Sequence, residues 1–391
     1  MRTVSKTVIG VDFGTQSARA VLVNAENGEI IYSCRKEYSY NSTPVPAIDC
    51  AENLPCATDY EMTLYELLRN VIPEEYRKTV AGICVDATSL TMVLLAEDGR
   101  ALSELDGWSE AAHARVKLWK YRRAQEKADE ALNLARNLQE PFLGRTGGSI
   151  SCEWMLPKLL EVRDEAPEIY SKIDLAMDLC EFLTFRLTGQ LVRSIGSLSY
   201  KCLWAEDLSF PERTFLNGLR AGFYEEYCHF LRGDVRKPGE CAGMLRSELT
   251  KRWGLPEQIP VATGMLDGHT SLATMGAFEP GDAALIVGTS NVCTVQDRKL
   301  QELKDVCGVA QDGMVTGSCG IDTGQSSTGN MLGWFVEHMA GWQIHREAEE
   351  RKISPHQVLA ERIQKPWENK VIAVDWWSGS RNAPCDLTLR G

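Results

Sequence analysis

At 391 residues the chain is long enough for two domains, each with a buried core. Its net charge of −12 argues against nucleic acid or an anionic membrane as a partner, since both demand clustered positive charge. The 13 cysteines are scattered without a C-x-x-C pair and the 6 histidines are isolated, which argues against a disulfide framework or a structural metal and points to free thiols in a reducing cytoplasm.

The N-terminal apolar run is cut off at Asp12, too short for a signal peptide, and no stretch approaches a membrane span. Val8–Phe13 and Arg19–Asn24 read as strands, followed by an Asn27-Gly28 turn and a third strand over Ile30–Tyr38. Met62, Leu64, Leu67, Leu68 and Val71 recur at helical spacing, and Val80–Val85 is an apolar strand ending at Asp86. The order of three antiparallel strands, a helix and a strand is that of a ribonuclease-H-like domain. From Ala111 to Arg136 the pattern is helical and charged, with Lys117–Arg123 expected on a solvated face. Further helices are expected over Glu153–Leu160, Pro167–Ile173 and Met177–Leu187, the last stopped by Gly189. Pro238-Gly239 and Gly254–Pro260 mark a boundary, giving domains at 1–255 and 256–391. The second opens with Val261–Leu266. It has a helix near Ser326–Met339, with Met331, Leu332, Phe335, Val336 and Met339 on one face, and a last strand at Val371–Trp377.

One local pattern occurs in both halves. Val8–Phe13 breaks at Gly14-Thr15-Gln16 and resumes as a strand; Ala284–Val287 breaks at Gly288-Thr289-Ser290 and resumes likewise. A glycine in such a turn lets backbone N–H groups approach a ligand, and hydroxyls add donors. Either turn alone is an ordinary hairpin. The pair suggests two related domains offering phosphate loops to a shared cleft, and a nucleotide enzyme.

Specific motifs sharpen this reading. Val11–Ser17 resembles the first phosphate loop of the FGGY carbohydrate kinases. His113-Ala114 with Lys117–Lys120, Glu153-Trp154-Met155 with Pro157–Leu160, and Tyr200-Lys201 with Trp204 are similar to the ribulokinase branch of that family. So are Asp267-Gly268-His269, Gly288-Thr289-Ser290, Gly324-Gln325-Ser326 and Asp375-Trp376-Trp377, in consistent order from residue 8 to 391. The resemblance implies an α/β fold of two actin/hexokinase-type domains around a cleft, the second incomplete, and ATP-dependent phosphorylation of a ketopentose, first of all L-ribulose. The alternatives are another ketopentose, a pentitol or related sugar, or a non-catalytic nucleotide- or sugar-binding protein. An actin- or chaperone-like ATPase has no need of the motifs around Trp119 and Lys201.

By the same resemblance Asp12, Gly14, Thr15, Gln16, Gly288, Thr289 and Ser290 hold ATP, with Mg²⁺ at Asp12 and Asp267. Asp267 is the general base, and Trp119, Lys201, Asp267 and Asp322 bind the sugar. Taken alone, Asp12 is equally a turn-capping residue, Asp267 a helix N-cap, Trp119 a core side chain and Lys201 a surface lysine. Two positions depart from the pattern: Asp322 where relatives carry Glu, and Ala87 where they tend to carry Phe. Relatives also continue past the equivalent of Gly391 into a segment that holds adenosine. The expectation is therefore weak ATP binding, and either a homodimer or a complementary C-terminal fragment as partner.

Overall fold

The computed structural model describes residues 5–38, 54–288, 290–363, 376–382, 385–387 and 389. The first strands, β1 (Thr7–Phe13), β2 (Ser17–Asn24) and β3 (Ile30–Glu37), form an antiparallel meander. In β1 the alternate residues Ile9, Val11 and Phe13 are buried, as the two-residue period of a strand requires. They share a core with Tyr60, Leu64, Leu67, Leu68 and Val71 of α1 (Ala57–Val71), one stripe of a helix. β4 (Val80–Ala87) lies parallel to β1, in a register that sets Asp86 beside Asp12.

β5 (Met92–Leu95) leads into residues 111–124, which fold as turns rather than the expected helix; the helix begins only at α2 (Gln125–Leu138). Two backbone bonds explain the difference. Met92 N–H donates to the Lys117 carbonyl at 2.9 Å, and Lys117 N–H returns to Met92 at 3.1 Å. Nor is this segment a solvated face at its start. The Lys117 side chain is wholly buried, with Nζ 2.8 Å from Glu161 Oε2 and 2.9 Å from the Tyr121 hydroxyl. Glu161 lies on α3 (Met155–Glu165), which is followed by α4 (Pro167–Tyr170) and by β6 (Leu175–Asp178), paired with β5.

Asp178 caps α5 (Leu179–Thr188) by accepting from Leu179 N–H, and Gly189 ends it in the left-handed conformation at φ 72°. Most of α5 is buried, so it sits between layers rather than showing one apolar face. Next come β7 (Val192–Ser194), α6 (Ile195–Lys201), α7 (Arg213–Leu219), α8 (Phe223–Phe230), β8 (Asp234–Arg236), β9 (Cys241–Met244) and α9 (Ser247–Trp253). α2, α3, α7 and α8 enclose a second core.

β10 (Pro260–Ala262) and β11 (Met265–Leu266) both pair with β4. Val261–Leu266, expected to open the second domain, thus belongs to the first sheet, whose order is β3-β2-β1-β4-β10-β9. The boundary at 255/256 falls inside that sheet's span because Val261 is needed beside Ile83. α10 (Asp267–Met275) then crosses to a second sheet of β12 (Ala283–Val287), β13 (Asn291–Asp297), β14 (Gly308–Gln311) and β15 (Cys319–Gln325), in the order β12-β13-β15-β14 and antiparallel throughout. The β12–β13 hairpin repeats β1–β2; a parallel counterpart of β4 does not occur among the described residues.

α11 (Gly329–His338), α12 (Trp342–Arg351) and α13 (Pro355–Arg362) follow. Of the five apolar residues expected on one face of the first of these helices, only Val336 is buried. The strand expected at Val371–Trp377 lies outside the described residues as far as Asp375. The two halves meet at Tyr200 of α6. Its hydroxyl donates to the Gly320 carbonyl at 2.7 Å, and a Cβ at Gly308, Gly313 or Gly320 would come within 2.7 Å of its ring or hydroxyl.

Candidate active site

Parallel pairing brings carboxylates together at one end of the first sheet. Asp12 ends the polar face of β1, Asp86 lies beside it on β4, and Asp267 follows β11 as the first residue of α10. Asp267 is thus inside the helix, not its N-cap, which is Leu266. Burial, opposed by the Gly268 N–H and reinforced by the charge of Asp12, pushes the Asp267 carboxyl up to about 6. Burial first, then Asp12 and Asp267, push Asp86 up to about 8, and its Oδ1 is buried with no hydrogen-bond partner. Arg19 Nε stands 3.9 Å from Asp12.

Across the cleft, Asp322 of β15 is 6% exposed. Lys201 Nζ, at the end of α6, lies 3.3 Å from Asp322 Oδ2, and His269 Nε2 lies 3.5 Å from the same atom. Burial would raise the Asp322 carboxyl, but Lys201 and His269 outweigh it and hold it well below the usual carboxylate range. His269 stacks edge-on against Tyr200 with centroids 4.6 Å apart, and its Nδ1 is buried without a partner.

Trp119 sits on the turn segment after Lys117. Lys158 of α3, wholly buried, pins that segment by donating to the carbonyls of Leu90 at 2.9 Å and Leu118 at 3.0 Å. Burial lowers the Lys158 ammonium to about 7. The Trp119 indole N–H donates to Thr15 Oγ1 at 3.0 Å. It is therefore engaged with the first phosphate-loop candidate, leaving the ring rather than the N–H to face the cavity.

Each Gly turn is closed by a backbone bond from its glycine, over a longer span in the first than in the second. Gly14 N–H donates to the Ser17 carbonyl at 3.1 Å, and Gly288 N–H donates to that of Ser290 at 3.0 Å. Neither glycine has a left-handed φ; at Gly14 the want of a side chain matters, since a Cβ would come within 3.3 Å of the Ser17 oxygen. Tyr38 closes over the first turn, its hydroxyl donating to the Gly14 carbonyl at 3.0 Å and its N–H to that of Gln16 at 3.4 Å.

One cavity of about 550 Å³ unites most of the expected residues: Asp12, Gly14, Thr15, Trp119, Lys201, Asp267, Gly288, Ser290 and Asp322 all line it. Gln16 is exposed and stands outside the lining. Thr289 lies outside the described residues. The lining groups not proposed as site residues from the sequence include Asp86, Glu153 and Arg381. Asp86 carried a signal, because Val85-Asp86 repeats the strand-ending Val11-Asp12. For Arg381 no local pattern existed.

Among the described residues no set of three or more His, Cys, Asp or Glu side chains is arranged to hold a metal alone. That arrangement fits a cation that takes one or two carboxylates and completes its shell with water and phosphate oxygens. The orphaned Asp86 oxygen beside Asp12 is the kind of uncompensated acceptor such an ion would relieve.

A two-part α/β architecture with paired Gly turns and carboxylates around one cleft, with Trp119 and Lys201 in its lining, is the arrangement expected of a sugar kinase. The FGGY family of carbohydrate kinases, N-terminal domain, matches residues 7–274. The ribulokinase of Halalkalibacterium halodurans is 32% identical over 397 residues, covering 99% of this chain and 70% of that protein. That of Mycolicibacterium smegmatis is 35% identical over 402 residues, covering 99% and 70%. In fold, the chain is similar to a xylulose kinase from Rhodospirillum rubrum (TM-score 0.72, 20% identity, 96% of this chain and 70% of that one). It is likewise similar to a gluconate kinase from Lactobacillus acidophilus (TM-score 0.74, 18% identity, 98% and 71%). The chain belongs to the FGGY family of carbohydrate kinases.

Proposed function

We propose that this chain phosphorylates a ketopentose, L-ribulose first, at its terminal hydroxyl with ATP as donor. The observation that carries this is the single cavity in which Asp267, Lys201, Asp322 and Trp119 stand with the Gly14 and Gly288 turns. The named ribulokinases similar over 99% of the chain support the choice of sugar. Phosphoryl transfer is mostly positioning and charge stabilisation, and each part has a candidate. Asp267 accepts the proton of the attacking hydroxyl; a carboxyl raised to about 6 is closer to the working range of a base than an ordinary aspartate. Lys201 and Asp322 offer a donor and an acceptor to sugar hydroxyls. The Gly14–Thr15 and Gly288–Ser290 turns flank the phosphates.

Asp12 and Asp267 would hold Mg²⁺, with Asp86 beside them. When bound, the ion neutralises phosphate charge. A second reading, that another ketopentose or a pentitol is the preferred substrate, is favoured by Asp322 alone. Its carboxylate, one methylene shorter than that of a Glu, is engaged by Lys201 and His269.

Sugar-dependent ADP formation across L-ribulose, D-ribulose, the xyluloses and the pentitols tests the proposal. The expected result is a preference for a ketopentose, highest for L-ribulose. Turnover with none of them, or with a pentitol only, contradicts it.

A further inference from the structure

We infer that Arg381 is a positioning residue for the sugar pocket: anchored by Glu153, it fixes the Trp119 ring that walls the pocket, and so makes ketopentose affinity depend on residues 376–382, which deliver it. The inference rests on the ketopentose reading above. Its observations are separate.

The Arg381 guanidinium lies 4.9 Å over the Trp119 ring. Its Nε is 3.2 Å from Glu153 Oε2 and its Nη2 donates to Glu153 Oε1 at 3.3 Å. Both side chains of this pair are nearly buried, at 14% and 13% exposed. A cation held over an indole in such a desolvated site is worth more than at a surface, and a guanidinium stacks and pairs at once where an ammonium cannot. Trp119 is thereby held from three directions: Arg381 on a ring face, Thr15 at the N–H, and Lys158 at the carbonyls of its own segment.

Arg381 reaches this place because its neighbours tie the segment to both halves of the molecule. Asn382 Nδ2 donates to the Gly324 carbonyl at 3.1 Å, and Asn382 Oδ1 accepts from Thr323 Oγ1 at 3.3 Å, both on β15. Arg122, from the first half, donates to the carbonyls of Ser378 at 2.8 Å and Leu387 at 3.3 Å. Leu387 is buried in the core enclosed by α2, α3, α7 and α8. Residues 378–382 are thus tied to both halves of the molecule, and Arg381 is the side chain they deliver to the cavity.

The test is calorimetric titration of L-ribulose into the wild-type chain and into Arg381→Ala, Arg381→Lys and Arg381→Gln, each also combined with Trp119→Phe and Trp119→Leu. Arg381→Ala should weaken sugar binding about tenfold in the wild-type and Trp119→Phe backgrounds, where a ring remains to be held. In the Trp119→Leu background the same change should cost less than about twofold, because a positioning residue has nothing left to position. Arg381→Lys should recover part of the loss. Arg381→Gln, shorter and uncharged, should behave as Ala, and the binding that the Arg381 variants keep in the Trp119→Leu background shows that the loss is not unfolding. Unchanged affinity on removing Arg381, or an equal loss whether or not Trp119 is present, overturns the inference. Failure of the wild-type chain to bind any ketopentose would instead contradict the sugar-pocket reading itself, and is recognised because it appears before any substitution is made.

Discussion

Asp267 joins two properties a base requires: burial that raises its carboxyl to about 6, and a place at the start of α10 facing the cavity. Asp267→Asn should lower turnover by about 10²–10⁴-fold while sugar affinity stays near its wild-type value; turnover within a few-fold of wild type would reduce Asp267 to a structural residue. The pH dependence has a definite sign. The charged carboxylate is the active form, so kcat/KM should rise as pH increases through the region where a carboxyl raised to about 6 loses its proton, and fall on the acid side of it. An acid limb displaced to pH 4 would show that another group is the base. Asp322 governs specificity on this account. Asp322→Glu should change the ratio of kcat/KM between L-ribulose and competing ketopentoses by about tenfold or more, the scale of one hydrogen bond to a charged group gained or lost. A ratio constant within twofold would place Asp322 away from the sugar.

At the scale of elements, the segment before α2 carries the sugar wall and is held by buried charge. Lys117, Glu161 and Tyr121 form one closed cluster, with Lys158 beside it on the carbonyls. Removing one partner of a buried pair strands the other, so Lys117→Met should destabilise the chain by about 3–5 kcal/mol. Urea unfolding measures this, and a loss under about 1 kcal/mol would mean that the pair is solvated. This segment also marks the limit of what the sequence made legible. Its charged residues recur as a helix would have them, yet pairing of Lys117 with Met92 holds it as turns. Periodicity reports which residues share a face, not which backbone partner arrives from 25 residues away. By contrast β1, β2, α1 and the cap at Gly189 were readable, because alternation, helical spacing and a positive-φ glycine are local signals. Asp267, Lys201, Asp322 and Trp119 were readable only through motif resemblance. Asp86 and Arg381 reach the cavity through strand register and a distant segment, which no window of sequence contains.

In the molecule as a whole, the cavity lies between a well-packed first half and a second half that shows more apolar surface. Val287 of β12, Met339 after α11 and Trp342 of α12 are 68%, 61% and 66% exposed, with Leu285, Leu332 and Phe335 also exposed. Apolar surface of this kind drives association. Sedimentation velocity should show concentration-dependent self-association that mild detergent reverses, and a monomer unchanged across concentration would contradict it. No helix among the described residues is long and apolar enough to cross a membrane. The central claim concerns the cleft itself, and a crystal structure of the chain with L-ribulose tests it most directly. The account expects the sugar between Trp119, Lys201 and Asp322, with its terminal hydroxyl within hydrogen-bonding reach of Asp267. A sugar bound outside this cavity, or one that turns that hydroxyl away from Asp267, would contradict it.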